Sequence, residues 1–312
     1  MNTYEKTFDF LAGTAVIMVG VAGIIINTTV IILIHKSRTF HNAFGRLCTS
    51  LLLAVTGKLL ANVFWAGPAI CLELDSTVTS SFVGGMIGQI IQIFWYVTTY
   101  THLALAINRL LAIALPTFYR RIFSKRRVAV IIGSTWTASA LVSTIFSMYG
   151  CEMLYDTMQL TWQHRSKMCG SFDILQFDMI HGSILWILVI VTDIVTLSHL
   201  RKRSKRLQST GNASSDELQV FRRNVTFFAQ GCATSVMMIL LTTSFNFFTE
   251  LVSTRWGMFA TTTITWEITD MLHGVIVIVF NKAFRDALRP VCLKASRDIV
   301  TVSVSGQETR TN

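Results

Sequence analysis

Apolar side chains along this chain come in seven long runs, at about 10–34, 44–68, 82–113, 128–149, 174–200, 222–248 and 257–281, separated by shorter polar stretches. Each is far longer than the roughly 4–8 residues of a buried strand. In hydrocarbon a segment must satisfy its own backbone N–H and C=O groups, so the runs are predicted to be helices. The first is too long for the apolar core of a secretory signal, and its flank carries Glu5 and Asp9 rather than a basic cluster, so it stays as the first span. Two connections stand out. The loop 150–173 is polar and holds Cys151 and Cys169, whereas 201–221 begins Arg-Lys-Arg-Ser-Lys-Arg-Leu and continues as a flexible polar linker. The expected organisation is an extracellular tail (1–9), a bundle (10–281), an amphipathic helix (282–293) and a disordered, Ser/Thr-rich cytoplasmic tail (294–312).

Composition agrees with that pattern. The chain has 312 residues, of which 52% are hydrophobic and 14% charged, and its mean hydropathy is +0.52. Soluble domains carry ~25% charged residues, so a water-soluble globule is excluded. With 18 Gly, 3 Pro and 6 Cys, so are a collagen and a disulfide-stapled mini-protein. Counted on alternate sides of the seven spans, 22 Lys and Arg fall on one side and 4 on the other, with Lys58 inside the second span. Basic residues are retained in the cytoplasm, which puts the N-terminus outside. The net charge of +10 is thus a topology signal and not a nucleic-acid footprint. Sequons at Asn27, Asn212 and Asn224 fall in lipid or on the cytoplasmic side, so none is expected to be glycosylated.

Motifs within the helices add a resemblance. Asn108-Arg109-Leu110, Ala112-Ile113 and Pro116 resemble the Asp-Arg-Tyr box of rhodopsin-like G-protein-coupled receptors and its continuation. Trp136 stands 27 residues after Arg109, where those receptors carry their fourth-helix tryptophan. Gly23 with Asn27, Leu53-Ala54, and Asn281-Lys282-Ala283-Phe284-Arg285 fit the first, second and eighth helices of that pattern. The finer likeness is to the nematode serpentine receptor class x chemoreceptors. It rests on Asn42-Ala43-Phe44-Gly45, on Ile107-Asn108-Arg109, on Cys151, Tyr155-Asp156, Thr161-Trp162 and Cys169-Gly170 in the outer loop, and on Arg222-Arg223-Asn224 with Phe227-Phe228 and Gln230. The resemblance implies an all-α membrane protein, a seven-transmembrane bundle with a short interfacial eighth helix. It also implies a chemosensory receptor of the plasma membrane, in sensory cilia of chemosensory neurons. Such a receptor binds an external small molecule within the bundle and signals to a heterotrimeric G protein.

The same resemblance suggests roles for residues. Arg109 would lock the third helix against the sixth and meet the G protein, together with Asn108, Pro116, Arg222 and Arg223. Asn108 replaces the acidic neighbour, so no intrahelical ion pair is available. The alternative is an arginine that only sets topology, and the same alternative holds for Arg120–Arg127 and Arg201–Arg206. Glu267, Asp270 and His273 lie at i, i+3 and i+6 on one face of the seventh span, and ionisable groups in lipid are functional candidates. Glu267 and Asp270, with Gln92 and Trp95, are the ligand-pocket candidates; hydrogen bonding between helices is the alternative for the two acids. Glu267 falls where opsins hold their retinal lysine, and the seventh span has no Lys, which argues against a photoreceptor. Lys58 and Asp193 are candidates to pair, and Gly57 stands where related receptors have a sodium-binding aspartate, so that ion site is expected to be missing.

Among the cysteines, Gly84 occupies the place of the third-helix cysteine of such receptors. Cys151–Cys169 is therefore the expected disulfide, with Cys71 free or pairing with either; Cys48 and Cys232 read as buried hydrophobes. Cys292 follows a segment with Phe284, Leu288 and Val291 on one face and is a lipidation candidate. Prolines occur only at Pro68, Pro116 and Pro290, leaving the fifth to seventh spans without a proline hinge. A transporter or channel is the competing reading, but no inverted repeat or pair of broken helices supports it. The histidines have no metal-ligand spacing, and no nucleophile elbow or phosphate loop occurs, so no metal, cofactor or enzymatic activity is expected.

Overall fold

The computed structural model describes residues 3–165, 172–210 and 214–289. Seven helices among them are long and apolar enough to cross a membrane, between 24 and 33 residues each. That exceeds the ~20 residues a bilayer requires, so the spans tilt or project beyond the hydrocarbon. The first helix is Thr3–Lys36. The second runs over Ala43–Ala61, through a π-helical turn at Asn62–Ala66, and on to Gly67–Cys71. The third is Phe82–Ala114, the fourth Lys125–Met148 and the fifth Phe172–Thr210. The sixth runs over Ser215–Thr243 with a second π-turn at Ser244–Phe248, and the seventh is Arg255–Thr261 followed by Thr263–Phe280.

Short polar side chains start these helices as N-cap chemistry requires. Asn42 accepts a hydrogen bond from the Gly45 amide at 3.0 Å, Ser214 from Glu217 at 3.2 Å and Thr254 from Gly257 at 3.2 Å. Asp75 caps the short helix Ser76–Thr79, and the Ser76 hydroxyl and Thr77 amide hold its carboxyl below the ordinary value.

The chain is helical again over 282–289, where Phe284 is buried. Its ring stacks on Phe40 at 4.8 Å, and Phe44 stacks on Phe227 at 4.2 Å. These four rings close one end of the bundle, the end where the basic loops cluster. Cys169, Cys292, Asn212 and the tail beyond 289 lie outside the described residues.

The other end carries a feature the hydrophobic pattern did not reveal. Residues 150–173, read as a polar loop, include an antiparallel hairpin of β1 (Met153–Asp156) and β2 (Thr161–His164), with Tyr155 opposite Trp162. Their rings meet edge to face at 5.2 Å, and both residues are almost fully buried. Burial pushes the Tyr155 phenol above its ordinary pKa, so it stays protonated at physiological pH. Asp156 accepts from the Met158 and Gln159 amides to make the turn, and Leu160 takes a positive φ of 56°. That conformation costs an L-residue about 1–2 kcal/mol. It is held because Leu160 is buried and its carbonyl accepts from the Thr263 hydroxyl at 2.7 Å.

Gly88 lets β1 reach the third helix: a Cβ there would sit 1.6 Å from the Met153 carbonyl oxygen. Trp162 Nε1 donates to Asn62 Oδ1 at 2.7 Å, in the first π-turn. Arg255 donates to the Thr157 carbonyl and pairs with buried Asp9 at 2.9 Å, tying the hairpin to the first and seventh helices. Cys151, at the foot of β1, is buried and disulfide-bonded, whereas Cys71 carries a free thiol, which removes Cys71 as an alternative partner. Gly88→Ala is expected to lift the hairpin off the third helix at a cost of about 1–3 kcal/mol. The loss should appear as a lower melting temperature of detergent-solubilised protein, and an unchanged melt would refute the close approach.

Candidate functional site

From the hairpin end inward, the bundle interior first opens into a cavity of about 370 Å³ between the third, sixth and seventh helices and the hairpin. Gln92 and Trp95, both singled out from the sequence, line it, with Trp162, Phe245, Asn246 and Trp266. Phe245 and Asn246 belong to the second π-turn, so the irregular turn of the sixth helix faces the cavity. Single-turn π-insertions are frequent at functional sites, and this one is an irregularity in a span that has no proline.

Glu267 and Asp270 do not line this cavity. One residue along a helix turns the side chain by about 100°, so Trp266 faces the cavity while Glu267 points toward the first and second helices. Glu267 is fully buried, with Asn62 as its polar neighbour; Gly20 makes room chiefly for Val63, which a Cβ would meet at 2.4 Å, and next for Glu267 Oε2 at 3.3 Å. Neither Glu267 oxygen makes a hydrogen bond among the described residues.

Beneath the cavity lies a charged layer. Lys58 Nζ pairs with Asp270 Oδ1 at 2.7 Å, and neither side chain is exposed at all. The ammonium also sits over the rings of Trp95 and Trp266, at 5.6 and 5.5 Å from their centroids. Desolvated cation–π contacts are worth ~2 kcal/mol each, and these two couple the cavity floor directly to the ion pair. Lys58 and Asp193, candidates to pair with each other, therefore have other partners. Lys58 lies mid-span facing the seventh helix, whereas Asp193 sits deeper on the fifth, and sequence gives depth only coarsely. The Asp270 carbonyl accepts from Asn27 Nδ2 at 3.1 Å, which ties in the first helix.

Deeper still, His102 and His273 bridge the third and seventh helices, Nε2 to Nε2 at 3.3 Å. His273 Nδ1 lies 2.8 Å from the Thr269 carbonyl, which can only accept. That nitrogen therefore carries the proton in the neutral ring, its Nε2 accepts, and His102 Nε2 donates.

At the basic end Arg109, 4% exposed, pairs with Asp193 of the fifth helix at 2.7 Å. Ser235 of the sixth helix donates to the other Asp193 oxygen at 3.5 Å. The resemblance implied a lock between the third and sixth helices; the carboxylate that replaces the missing neighbour at Asn108 instead comes from the fifth. The sixth helix contributes a gap. A Cβ on Gly231 would lie 2.0 Å from a guanidinium nitrogen, so the glycine makes room for Arg109. Below the pair a second cavity of about 210 Å³ opens at the basic end, lined by Asn108, Arg109, Pro116, Arg120, Arg223 and Phe227 among others. Arg222 is exposed and does not line it. Sequence reasoning had not singled out Gly231 or the two π-turns. Only the glycine carried any signal, as a small residue one position after the quoted Gln230.

Comparison with known proteins agrees with this architecture. Residues 17–281 match the family described as serpentine type 7TM GPCR chemoreceptor Srx. The chain is 23% identical over 307 residues to serpentine receptor class X 45 of Caenorhabditis elegans, covering 93% of this chain and 84% of that protein. Among solved structures the fold is similar to the crystal structure of squid rhodopsin, with a TM-score of 0.76 at 14% identity, covering 93% of this chain and 87% of that one.

The buried Lys58–Asp270 pair makes a stability prediction. Lys58→Met leaves a carboxylate buried without its partner and should cost about 3–5 kcal/mol, whereas the double variant with Asp270→Leu should recover most of the loss. Thermal melts of the three proteins check this; a double variant no better than the single would refute the pairing.

Proposed function

Because this chain belongs to the Srx family of serpentine seven-transmembrane G-protein-coupled chemoreceptors, and is thus a multi-pass membrane receptor and not an enzyme, we propose that it binds an external small molecule in the hairpin-end cavity and signals through its basic end to a heterotrimeric G protein. The 22-to-4 division of basic residues supports assigning the hairpin end to the cell exterior and the basic end to the cytoplasmic side of the plasma membrane; sensory cilia are proposed from the family alone. On that assignment Cys151 and Cys169 face the oxidising side, and a disulfide between them is our proposed pairing. Cys292 and the segment 282–293 then lie at the cytoplasmic leaflet, as lipidation requires.

One observation carries the reading: Arg109 is buried in an ion pair with Asp193 and also lines the cavity at the basic end. A buried guanidinium is held only while its carboxylate and the packing around Gly231 stay in register, because an unpaired charge there costs several kcal/mol. A ligand that shifts Trp95, Trp266 or the π-turn of the sixth helix alters the packing over Lys58 and the lie of the sixth helix against Arg109. When that helix moves, the cheapest response of Arg109 is to turn toward the basic cavity, whose lining residues Asn108, Pro116 and Arg223, with Arg222 exposed outside it, make up the surface a G protein would contact. The ligand acts by binding one of two bundle states more tightly, and its differential affinity sets the shift.

Nucleotide exchange on a promiscuous Gα subunit in membranes tests this. Asp193→Asn, matched for surface expression, should raise basal exchange about 5-fold or more, within the usual range of allosteric coupling. Arg109→Ala should abolish exchange stimulated by a responsive chemical. A stimulus response that persists undiminished in Arg109→Ala would overturn the assigned role.

A further inference from the structure

The hairpin-end cavity does not stop at the bundle wall. A second space of about 390 Å³ shares Trp95, Tyr96, Met179, Thr242 and Asn246 with it, so the two adjoin, separated by no more than these side chains. This second space runs outward between the fifth and sixth helices, where Ile187, Ile190 and Phe247 line it and are 57, 39 and 64% exposed. In a seven-span bundle such apolar side chains face lipid. At the opposite limit of the cavity the hairpin lies across the bundle, with Met153 and Trp162 almost completely buried against the lining.

The lining chemistry is equally one-sided. Among the described residues neither space is lined by Asp, Glu, Lys or Arg. The surface is aromatic and aliphatic, with hydrogen-bonding capacity from Gln92, Gln163, Thr242 and Asn246 and two imidazoles, His164 in the inner space and His181 in the outer one. Lys58 behind the tryptophan rings is paired with Asp270, and His164 and His181 already meet the Cys151 carbonyl and the Tyr100 hydroxyl, so a charged guest would exchange water for a lining with no fixed, unpaired counter-charge, at a cost that hydrogen bonds alone do not recover. An uncharged aromatic guest loses little and gains apolar burial and ring contacts.

Building on the receptor reading above, we infer that the ligand is an uncharged, largely apolar molecule with a few hydrogen-bonding groups, and that it enters from the bilayer between the fifth and sixth helices. Partition into the membrane concentrates such a molecule at the groove before it binds. The groove then leads it past Met179 and Thr242 to Trp95 and Trp266. Gly182 lines this route, and a Cβ there would meet nothing within 4 Å, so a large side chain at 182 fills the passage without displacing the backbone.

Photolabelling of the full chain in lipid nanodiscs tests the inference and needs no G protein, so its outcome is independent of the signalling assay. The probes are a neutral phenyl diazirine that partitions into lipid and its water-soluble benzoate analogue. The neutral probe should label peptides containing Trp95 and Trp266. Gly182→Trp should reduce that labelling several-fold while leaving unchanged the labelling at Phe64, a side chain 73% exposed on the second helix. Ile190→Trp, on the lip of the groove, gives the same block where Gly182→Trp fails to fold. Equal interior labelling by the benzoate would overturn the uncharged class. Interior labelling that survives both blocks would overturn the lateral route. Labelling confined to the groove, with none at Trp95 or Trp266, would mean that acyl chains alone occupy it, and would overturn both.

Discussion

Four charged side chains with almost no access to solvent set the terms for the rest of this bundle. Lys58 with Asp270 and Arg109 with Asp193 each close at 2.7 Å inside a membrane protein. In a low-dielectric interior each charge is tolerable only with its partner, so each pair dictates which helices may adjoin. Lys58 binds the second helix to the seventh, and Arg109 binds the third to the fifth. The His102–His273 bridge then joins the third helix to the seventh between these two levels. A bundle that satisfies all three contacts has little freedom to choose another arrangement. Ion pairs between rigid helices also break as a unit, which is what a two-state switch requires.

The ends of the bundle are built on different physics. At the basic end four phenylalanine rings, Phe40, Phe44, Phe227 and Phe284, stack into an apolar plug that leaves a charged cavity beside it. At the other end a hairpin of only eight paired residues is held by directional contacts: Trp162 on Asn62, Leu160 on Thr263, Arg255 on Thr157. The third helix has no cysteine to tether this hairpin, and Gly85 and Gly88 instead let it approach closely, against Glu152 and Met153. Both π-turns fall at this end, one beneath Trp162 and one beside the cavity. Each turn has one side on the protein interior, Asn62, Val63 and Ala66 in the first and Ser244 in the second, and one side facing outward.

Much of the fold was legible in the sequence because the bilayer imposes a one-dimensional rule. The seven apolar runs and the bias of Lys and Arg are properties of stretches of chain, and a solvent that penalises every exposed peptide group turns them directly into helices. The candidate site was legible in pieces. Arg109, Asn108, Pro116 and Arg223, named from the family resemblance, line one cavity, and Gln92 and Trp95 line another. Glu267 and Asp270 were placed on an inward face and are buried, but the cavity belongs to their neighbour Trp266. A resolution of one residue, about 100° of helix rotation, lies beyond what a hydrophobic pattern read by eye can give.

What the chain by itself determined was how many times it crosses lipid and which groups would be costly there, since both depend on local composition and on the free energy of transfer. What only the tertiary structure decided was who meets whom. Lys58 was a candidate for Asp193 and met Asp270, because pairing depends on depth and rotation summed over two helices and their connections. The hairpin likewise buries Tyr155 and Trp162 that a polar loop gave no reason to expect inside. Its strands are too short to announce themselves by alternation, and they exist because the second, third and seventh helices together provide a floor to lie on.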